Sequence, residues 1–256
     1  MDLQISQQHF LVCGASGGFG KAIAEALLQE GAQVTAVARS ADKLQALQTA
    51  YPKQVKTVVA DVTTEAGLQT ITTAIQQPLH GILLNAGGPP AMSALEATLP
   101  DWDNAYASVL RWKIALLKAL LPAMQAQQYG RIVSIESVSV KQPVENLVLS
   151  NAIRMAVVGY LKTLSQEVAG QGITINIMAP GYHATDAMNR LFDKKAAVAG
   201  ISREDAAAAM AQQVPVGRLG TATEFASLAA WLFSPHSGFV TGQTFAIEGG
   251  LYKGSM

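Results

Sequence analysis

An α/β fold, doubly wound around a mostly parallel seven-stranded sheet with helices on both faces, is the expectation for this 256-residue chain, and three observations produce it. Hydrophobic residues make up 50% of the sequence against 14% charged and 6% aromatic, the composition of strands buried under helices on both sides. Short apolar or β-branched runs alternate with longer stretches at helical spacing. A glycine-rich segment stands at the first junction between the two kinds of run.

The first strand-like run, 9–13, is followed by Ala22, Ile23, Ala26 and Leu27, whose spacing predicts one apolar helix face. Further strand-like runs at 33–37, 55–60 and 81–84 are separated by helical patterns over 40–50 and 64–75, with Ser40 a candidate N-cap. The pattern then predicts one long helix over 101–125, a strand at 131–135, a helix over 147–169 and a strand at 173–178. An irregular Ala-rich section from 182 to 214, a helix over 223–233 and a strand at 244–247 complete the chain. Right-handed crossovers between parallel strands wind such a chain both ways. The four alanines at 206–209 reflect helix propensity, and no internal repeat is visible.

Large α/β sheets reach this length as one unit, and no Pro/Gly/Ser-rich or charged linker divides the chain, so residues 1–256 are expected to form one domain. Lys+Arg and Asp+Glu are both 18, and without a basic run no nucleic-acid partner is expected. The start Met1-Asp2-Leu3-Gln4-Ile5-Ser6 lacks the basic and apolar regions of a signal peptide, and no stretch approaches the roughly 18 apolar residues of a membrane span, so a cytoplasmic location is expected. The single cysteine, Cys13, lies inside an apolar run and reads as a structural thiol. No metal site is expected.

Between the first strand and the first helix runs Cys13-Gly14-Ala15-Ser16-Gly17-Gly18-Phe19-Gly20. Glycines here let the backbone turn sharply and let a pyrophosphate approach the helix N-terminus, the device of a Rossmann dinucleotide site, although a tight turn needs glycine whether or not a ligand binds. The acidic residue that would hold the ribose 2′-hydroxyl of NAD is missing from the end of the second strand, where Val37-Ala38-Arg39-Ser40 stands. Arg39 suits a 2′-phosphate, so NADP(H) is expected over NAD(H), with a solvated surface arginine as the plain alternative.

Other segments fit the same scheme: Asp61-Val62 after the third strand, Asn85-Ala86-Gly87-Gly88 closing the fourth, and Gly130-Arg131-Ile132-Val133-Ser134-Ile135-Glu136-Ser137. So do Ala179-Pro180-Gly181 with Thr185, then Thr241-Gly242-Gln243 and Glu248-Gly249-Gly250. On these motifs the chain resembles the short-chain dehydrogenase/reductase superfamily over nearly its whole length, in a divergent branch like the 3-oxoacyl-(acyl-carrier-protein) reductases. The resemblance implies a cofactor-binding half at about 1–130 and a catalytic and substrate half at about 131–256. It implies cofactor contacts from Gly14, Ser16, Gly17, Gly18, Phe19, Gly20, Arg39, Asp61, Val62, Asn85, Ala86, Gly87, Arg154, Pro180, Gly181 and Thr185. Asn85 could tie neighbouring strands through its amide, and Thr185 could fix the nicotinamide carboxamide.

The family's tyrosine and lysine, thirteen and seventeen residues beyond the catalytic serine, fall on Ser150 and Arg154 when counted from Ser137. An i, i+4 pair shares a helical face, so the geometry of a donor above a cation is kept while the donor is changed. An alkyl hydroxyl is a far poorer proton acid than a phenol, and a guanidinium stays protonated. The family's asparagine on the preceding helix falls on Val109. Tyr182 and His183, after Pro180-Gly181, are candidate substitute acids, with a packing aromatic and a solvated histidine as alternatives. Glu136 and Glu145 flank the region and are either raised in pKa by burial or exposed.

The expected function is hydride transfer between NADP(H) and a carbonyl or alcohol, an acyl thioester among the candidates, by a non-standard proton route. The catalytic candidates are Ser137, Ser150, Arg154 and Tyr182. Alternatives are a catalytically degenerate dinucleotide-binding protein, acting as cofactor sensor or partner subunit, and a dehydratase or isomerase on the same scaffold. Arg190 is a candidate contact for a substrate carboxylate or phosphate. The resemblance also implies a homodimer or homotetramer.

Overall fold

The structure is a computed structural model that describes residues 1–254, without the side chains of residues 186, 187, 190, 191, 194, 195 and 198. Its first half runs β1 (His9–Cys13), α1 (Gly18–Gln29), β2 (Gln33–Ala38), α2 (Ala41–Ala50), β3 (Val55–Val59), α3 (Glu65–Ala74) and β4 (Gly81–Leu84). Then come α4 (Leu99–Ala105), α5 (Trp112–Ala126), β5 (Gly130–Ile135), α6 (Val148–Val168) and β6 (Ile173–Pro180). The chain finishes with α7 (Asp186–Ala199), α8 (Arg203–Ala211), α9 (Ala222–Phe233) and β7 (Thr244–Ile247). The sheet has the order β3-β2-β1-β4-β5-β6-β7, and each neighbouring pair is parallel.

Alternation along the strands feeds two cores, because successive side chains leave opposite faces. Phe10 and Val12 of β1 enter the core under α1 and α9, whereas Leu11 and Cys13 enter the core under α5 and α6. In β4, Leu83 goes to the first and Ile82 and Leu84 to the second. Phe10 meets Phe233 of α9 edge to face at 5.3 Å, and both are fully buried. Each such ring contributes about 1.5–3 kcal/mol through burial. Parallel pairing aligns the carboxyl ends of the strands, and the order reverses between β1 and β4, which opens a crevice there.

Two expectations are corrected. The helix expected over 101–125 is interrupted by a π-helical turn, Tyr106–Arg111, between α4 and α5. The Trp112 indole donates to the Ser108 carbonyl at 2.9 Å, taking the acceptor that the Trp112 backbone N–H would use in an α-helix, and the local ladder widens. The section expected to be irregular over 182–214 holds α7 and α8. Its alanines favour helix, Gly200 ends α7 in the left-handed region, and the Ser202 hydroxyl caps α8 by accepting from the Asp205 N–H at 3.0 Å.

Candidate functional site

The glycine loop, Arg39, Asp61, Asn85 and its following glycines, Ser137 and Pro180-Gly181 all lie at or just past the carboxyl ends of parallel strands. A cavity of about 410 Å³ lined by His9, Thr35, Lys53 and Lys56 lies instead around the opposite ends of β1, β2 and β3, away from these loops.

At the glycine loop, Gly17 caps α1 with no side-chain hydrogen bond, and the first turn carries no acidic residue, so the helix presents its positive end. Gly14 takes φ +72°, and a β-carbon on Gly20 would stand 2.2 Å from the Gly14 carbonyl oxygen. Gly17 and Gly18 have open space where a side chain would be. A cradle of this shape, with an uncapped helix start, fits a pyrophosphate. The Phe19 ring packs against Phe225 with centroids 4.1 Å apart and planes tilted by 34°. Ser16 is half-buried beside it.

The loops after β1 and β4 are locked together. Asn85 Nδ2 donates to the Cys13 carbonyl at 3.4 Å, and a β-carbon on Gly14 would meet that nitrogen at 2.5 Å. Ala86 packs against the second core, and Gly87 faces open space. Arg39 extends into solvent with its guanidinium 3.8 Å from Asp61 Oδ2. Asp61 Oδ1 accepts from the backbone and hydroxyl of Thr63 at 2.9 and 2.7 Å, which hold the carboxyl below its ordinary pKa, with Arg39 adding a smaller effect. Val62 is buried.

Ser150 and Arg154 share a buried face of α6, as an i, i+4 pair must, and Arg154 Nε donates to Ser150 Oγ at 3.0 Å. Arg154 Nη1 donates to Glu136 Oε2 at 3.0 Å and to the Ile135 carbonyl at 3.4 Å. Glu136 is 3% exposed, so the exposed reading of this carboxylate is set aside, whereas Glu145 is exposed. Sequence reasoning missed Lys113, which is 2% exposed and donates to Glu136 Oε1 and, at 3.1 Å, to Ser134 Oγ. A signal existed, because Lys113 interrupts the apolar stripe Val109, Leu116, Leu117, Leu120 at helical spacing. Val109 itself is a core residue.

Ser137 Oγ accepts from the Ser139 N–H at 3.1 Å and caps a short 3-10 turn. Burial pushes the half-buried Tyr182 phenol above its ordinary pKa, away from acid duty at neutrality. His183 is not solvated, for it is 3% exposed and stands edge-on to Phe19 and Phe225 at 5.1 and 5.5 Å, where burial pushes its imidazole down. Thr185 begins α7 with no side-chain cap bond. The Arg190 side chain lies outside the described residues. Burial pushes the Cys13 thiol up to about 12, which makes it inert. Among the described residues no cluster of three or more His, Cys, Asp or Glu could hold a metal, and no helix is long and apolar enough to cross a membrane.

A family profile described as enoyl-(acyl carrier protein) reductase matches residues 14–252. The 3-oxoacyl-(acyl-carrier-protein) reductase FabG of Escherichia coli (strain K12) is 33% identical over 245 residues, covering 94% of this chain and 96% of that protein. The crystal structure of L-sorbose reductase from Gluconobacter frateurii, complexed with NADPH and L-sorbose, superposes with a TM-score of 0.93 at 26% identity, covering 99% of this chain and 100% of that one. An actinorhodin polyketide ketoreductase variant with NADPH gives 0.91 at 28% identity, covering 97% and 98%. This chain therefore belongs to the short-chain dehydrogenase/reductase family of oxidoreductases.

Proposed function

We propose that this protein is an NADP(H)-dependent oxidoreductase that moves a hydride between the nicotinamide ring and a carbonyl or alcohol by a non-standard proton route. The observation that carries the reading is the hydrogen-bonded pair of Ser150 and Arg154, buried on α6 with the guanidinium beside Gly88. Similarity to reductases solved with NADPH supports the choice of cofactor, and Arg39 after β2 supplies a cation for a 2′-phosphate.

Backbone N–H groups of Gly14, Ser16, Gly17, Gly18, Phe19 and Gly20 bind the pyrophosphate in this proposal. Asp61 and Val62 flank the adenine, and Asn85, Ala86 and Gly87 make room for its ribose. Arg154 holds the nicotinamide ribose, and Pro180, Gly181 and Thr185 hold the carboxamide, the Thr185 hydroxyl making no cap bond to α7. The reduced nicotinamide supplies the hydride when bound. Because Arg154 Nε donates into Ser150 Oγ, the hydroxyl keeps its own hydrogen for the substrate oxygen. Ser137, whose oxygen accepts from the Ser139 N–H, can do the same. Neither hydroxyl is a strong acid, so the proton that completes the alcohol comes from water passed along them. Tyr182 is assigned to packing of its loop.

The similarity to an acyl-carrier-protein reductase makes a β-keto thioester one candidate substrate. A cytoplasmic homodimer or homotetramer is part of the same proposal, and exposed Tyr106, Met155 and Phe239 give it apolar surface. The test is fluorescence titration with NADPH and NADH, then addition of ketones, aldehydes and β-keto thioesters to the NADPH complex. Oxidation of NADPH by one of them is expected. Tight binding without oxidation would favour the degenerate binding protein instead.

A further inference from the structure

Three charged side chains meet where α5, β5 and α6 converge. Lys113, Glu136 and Arg154 are 2%, 3% and 9% exposed. Glu136 Oε1 accepts from Lys113 Nζ and, at 2.5 Å, from the Ser134 hydroxyl, while Oε2 accepts from Arg154 Nη1 at 3.0 Å. Two cations around one carboxylate leave one positive charge in excess. Burial pushes the Lys113 amine below its ordinary pKa, Glu136 opposes this and Arg154 adds to it. Removing such charges from water is costly, and apolar side chains of similar size often stabilise a core as well or better, so stability alone does not account for the lysine.

The cluster points in one direction. Arg154 is tied down through Nε and Nη1, while Nη2 has no hydrogen bond among the described residues and stands 3.0 Å from where a β-carbon on Gly88 would lie. The uncommitted donor is thus held beside the loop after β4, and the same guanidinium holds the Ser150 oxygen through Nε. We infer that Lys113 is a positioning residue for this site: by occupying Glu136 Oε1 it keeps the cluster one charge positive and holds Arg154 and Ser150 toward an oxyanion in the cleft. This rests on the proposed oxidoreductase reading, in which that oxyanion is the substrate oxygen as it gains charge during hydride transfer.

The charge count gives stability an unusual sign. Lys113→Met leaves the neutral pair Glu136–Arg154 and removes the excess charge, so its Tm should equal or exceed that of the parent protein. Glu136→Gln leaves two buried cations together and should lower Tm sharply. Lys113→Gln keeps a hydrogen-bond donor without the charge.

The experiment uses the full chain saturated with NADPH, with Lys113→Met and Lys113→Gln compared to the parent. Expected is a fall in kcat of about tenfold or more, less than the about 10²–10³-fold that follows loss of an oxyanion donor itself because Lys113 acts through Arg154, with KM and the NADPH Kd changed less than about threefold. A second measurement needs no turnover: calorimetric binding of isobutyrate against its neutral amide, isobutyramide, to each NADPH complex. The parent should prefer the carboxylate by about tenfold, and both variants should lose that preference. Unchanged kcat and unchanged preference in either folded variant would overturn the inference. So would a loss of turnover accompanied by lower Tm and weaker NADPH binding in both, which marks a structural role. If the parent binds NADPH but oxidises it with no carbonyl, the oxidoreductase reading fails, and the carboxylate preference by itself decides the role of Lys113.

Discussion

Glycine in the loop after β1 can serve the turn or the ligand, and Gly17 and Gly20 separate the two. Gly17 has an extended backbone, φ −177° and ψ 174°, and a β-carbon there would meet nothing within 4 Å. Gly17→Ala loses a favoured helix N-cap, about 0.5–1 kcal/mol, and gains about 0.4–1 kcal/mol from the reduced entropy of the unfolded chain. The two nearly cancel, so free-protein stability should change by less than about 0.5 kcal/mol. In Gly20→Ala the β-carbon would lie 2.2 Å from the Gly14 carbonyl oxygen and 2.7 Å from its carbon, backbone atoms that cannot swing aside. Overpacking of this kind costs about 1–3 kcal/mol, which in a chain of this size lowers Tm by several degrees. If a pyrophosphate lies on the open side of Gly17, the added methyl is as unwelcome to the ligand, and NADPH affinity should fall by about five- to 150-fold. Thermal denaturation of the free proteins and NADPH fluorescence titration read the two effects separately. A stable Gly17→Ala protein that binds NADPH like the parent would refute the reasoning, since that glycine would then serve the turn alone.

Arg39→Ala should weaken NADPH about fivefold while leaving NADH within a factor of two, because the solvent-exposed cation contributes about 1 kcal/mol to a 2′-phosphate and nothing to a 2′-hydroxyl; equal losses for both cofactors would count against the assignment. Tyr182→Phe should leave kcat and its pH profile unchanged, as the raised phenol is a poor acid, and a large fall in kcat would return Tyr182 to the proton route. His9, His80 and His183 are pushed below the ordinary imidazole pKa by burial, opposed at His9 by the Pro78 carbonyl and at His183 by the Gly181 carbonyl and Glu224. The unfolded chain then binds protons that the folded one refuses, so Tm should fall as pH drops below about 6.5, and a flat Tm between pH 7.5 and 5.5 would contradict this.

The order of strands and helices was legible because burial on both faces demands continuous apolar runs for strands and a 3.6-residue stripe for helices, and both patterns are local. Gly14, Asn85 and Arg39 do stand at strand ends, where the spacing of the apolar runs and the family motifs placed them. The π-helical turn was not, since it depends on the Trp112 indole reaching the Ser108 carbonyl in preference to continuing the ladder. Nor were α7 and α8, since a run of alanines raises helix propensity without marking where a helix begins or ends, and the left-handed Gly200 and the Ser202 cap are what divide the segment.

The sequence by itself determined the fold class and the family, through motifs whose spacing along the chain carries the information. It also determined that Ser150 and Arg154 share a helical face. Only the tertiary structure decided what surrounds them: Lys113, on α5, stands 41 residues before Arg154, Glu136 lies just past the end of β5 between them, and no local pattern states that they meet. The same holds for His183, which the sequence leaves open to solvent and the aromatic rings of Phe19 and Phe225 enclose. Burial and charge pairing are properties of contacts between distant segments, so the chemistry of the buried cluster becomes readable only once the sheet has brought its helices together.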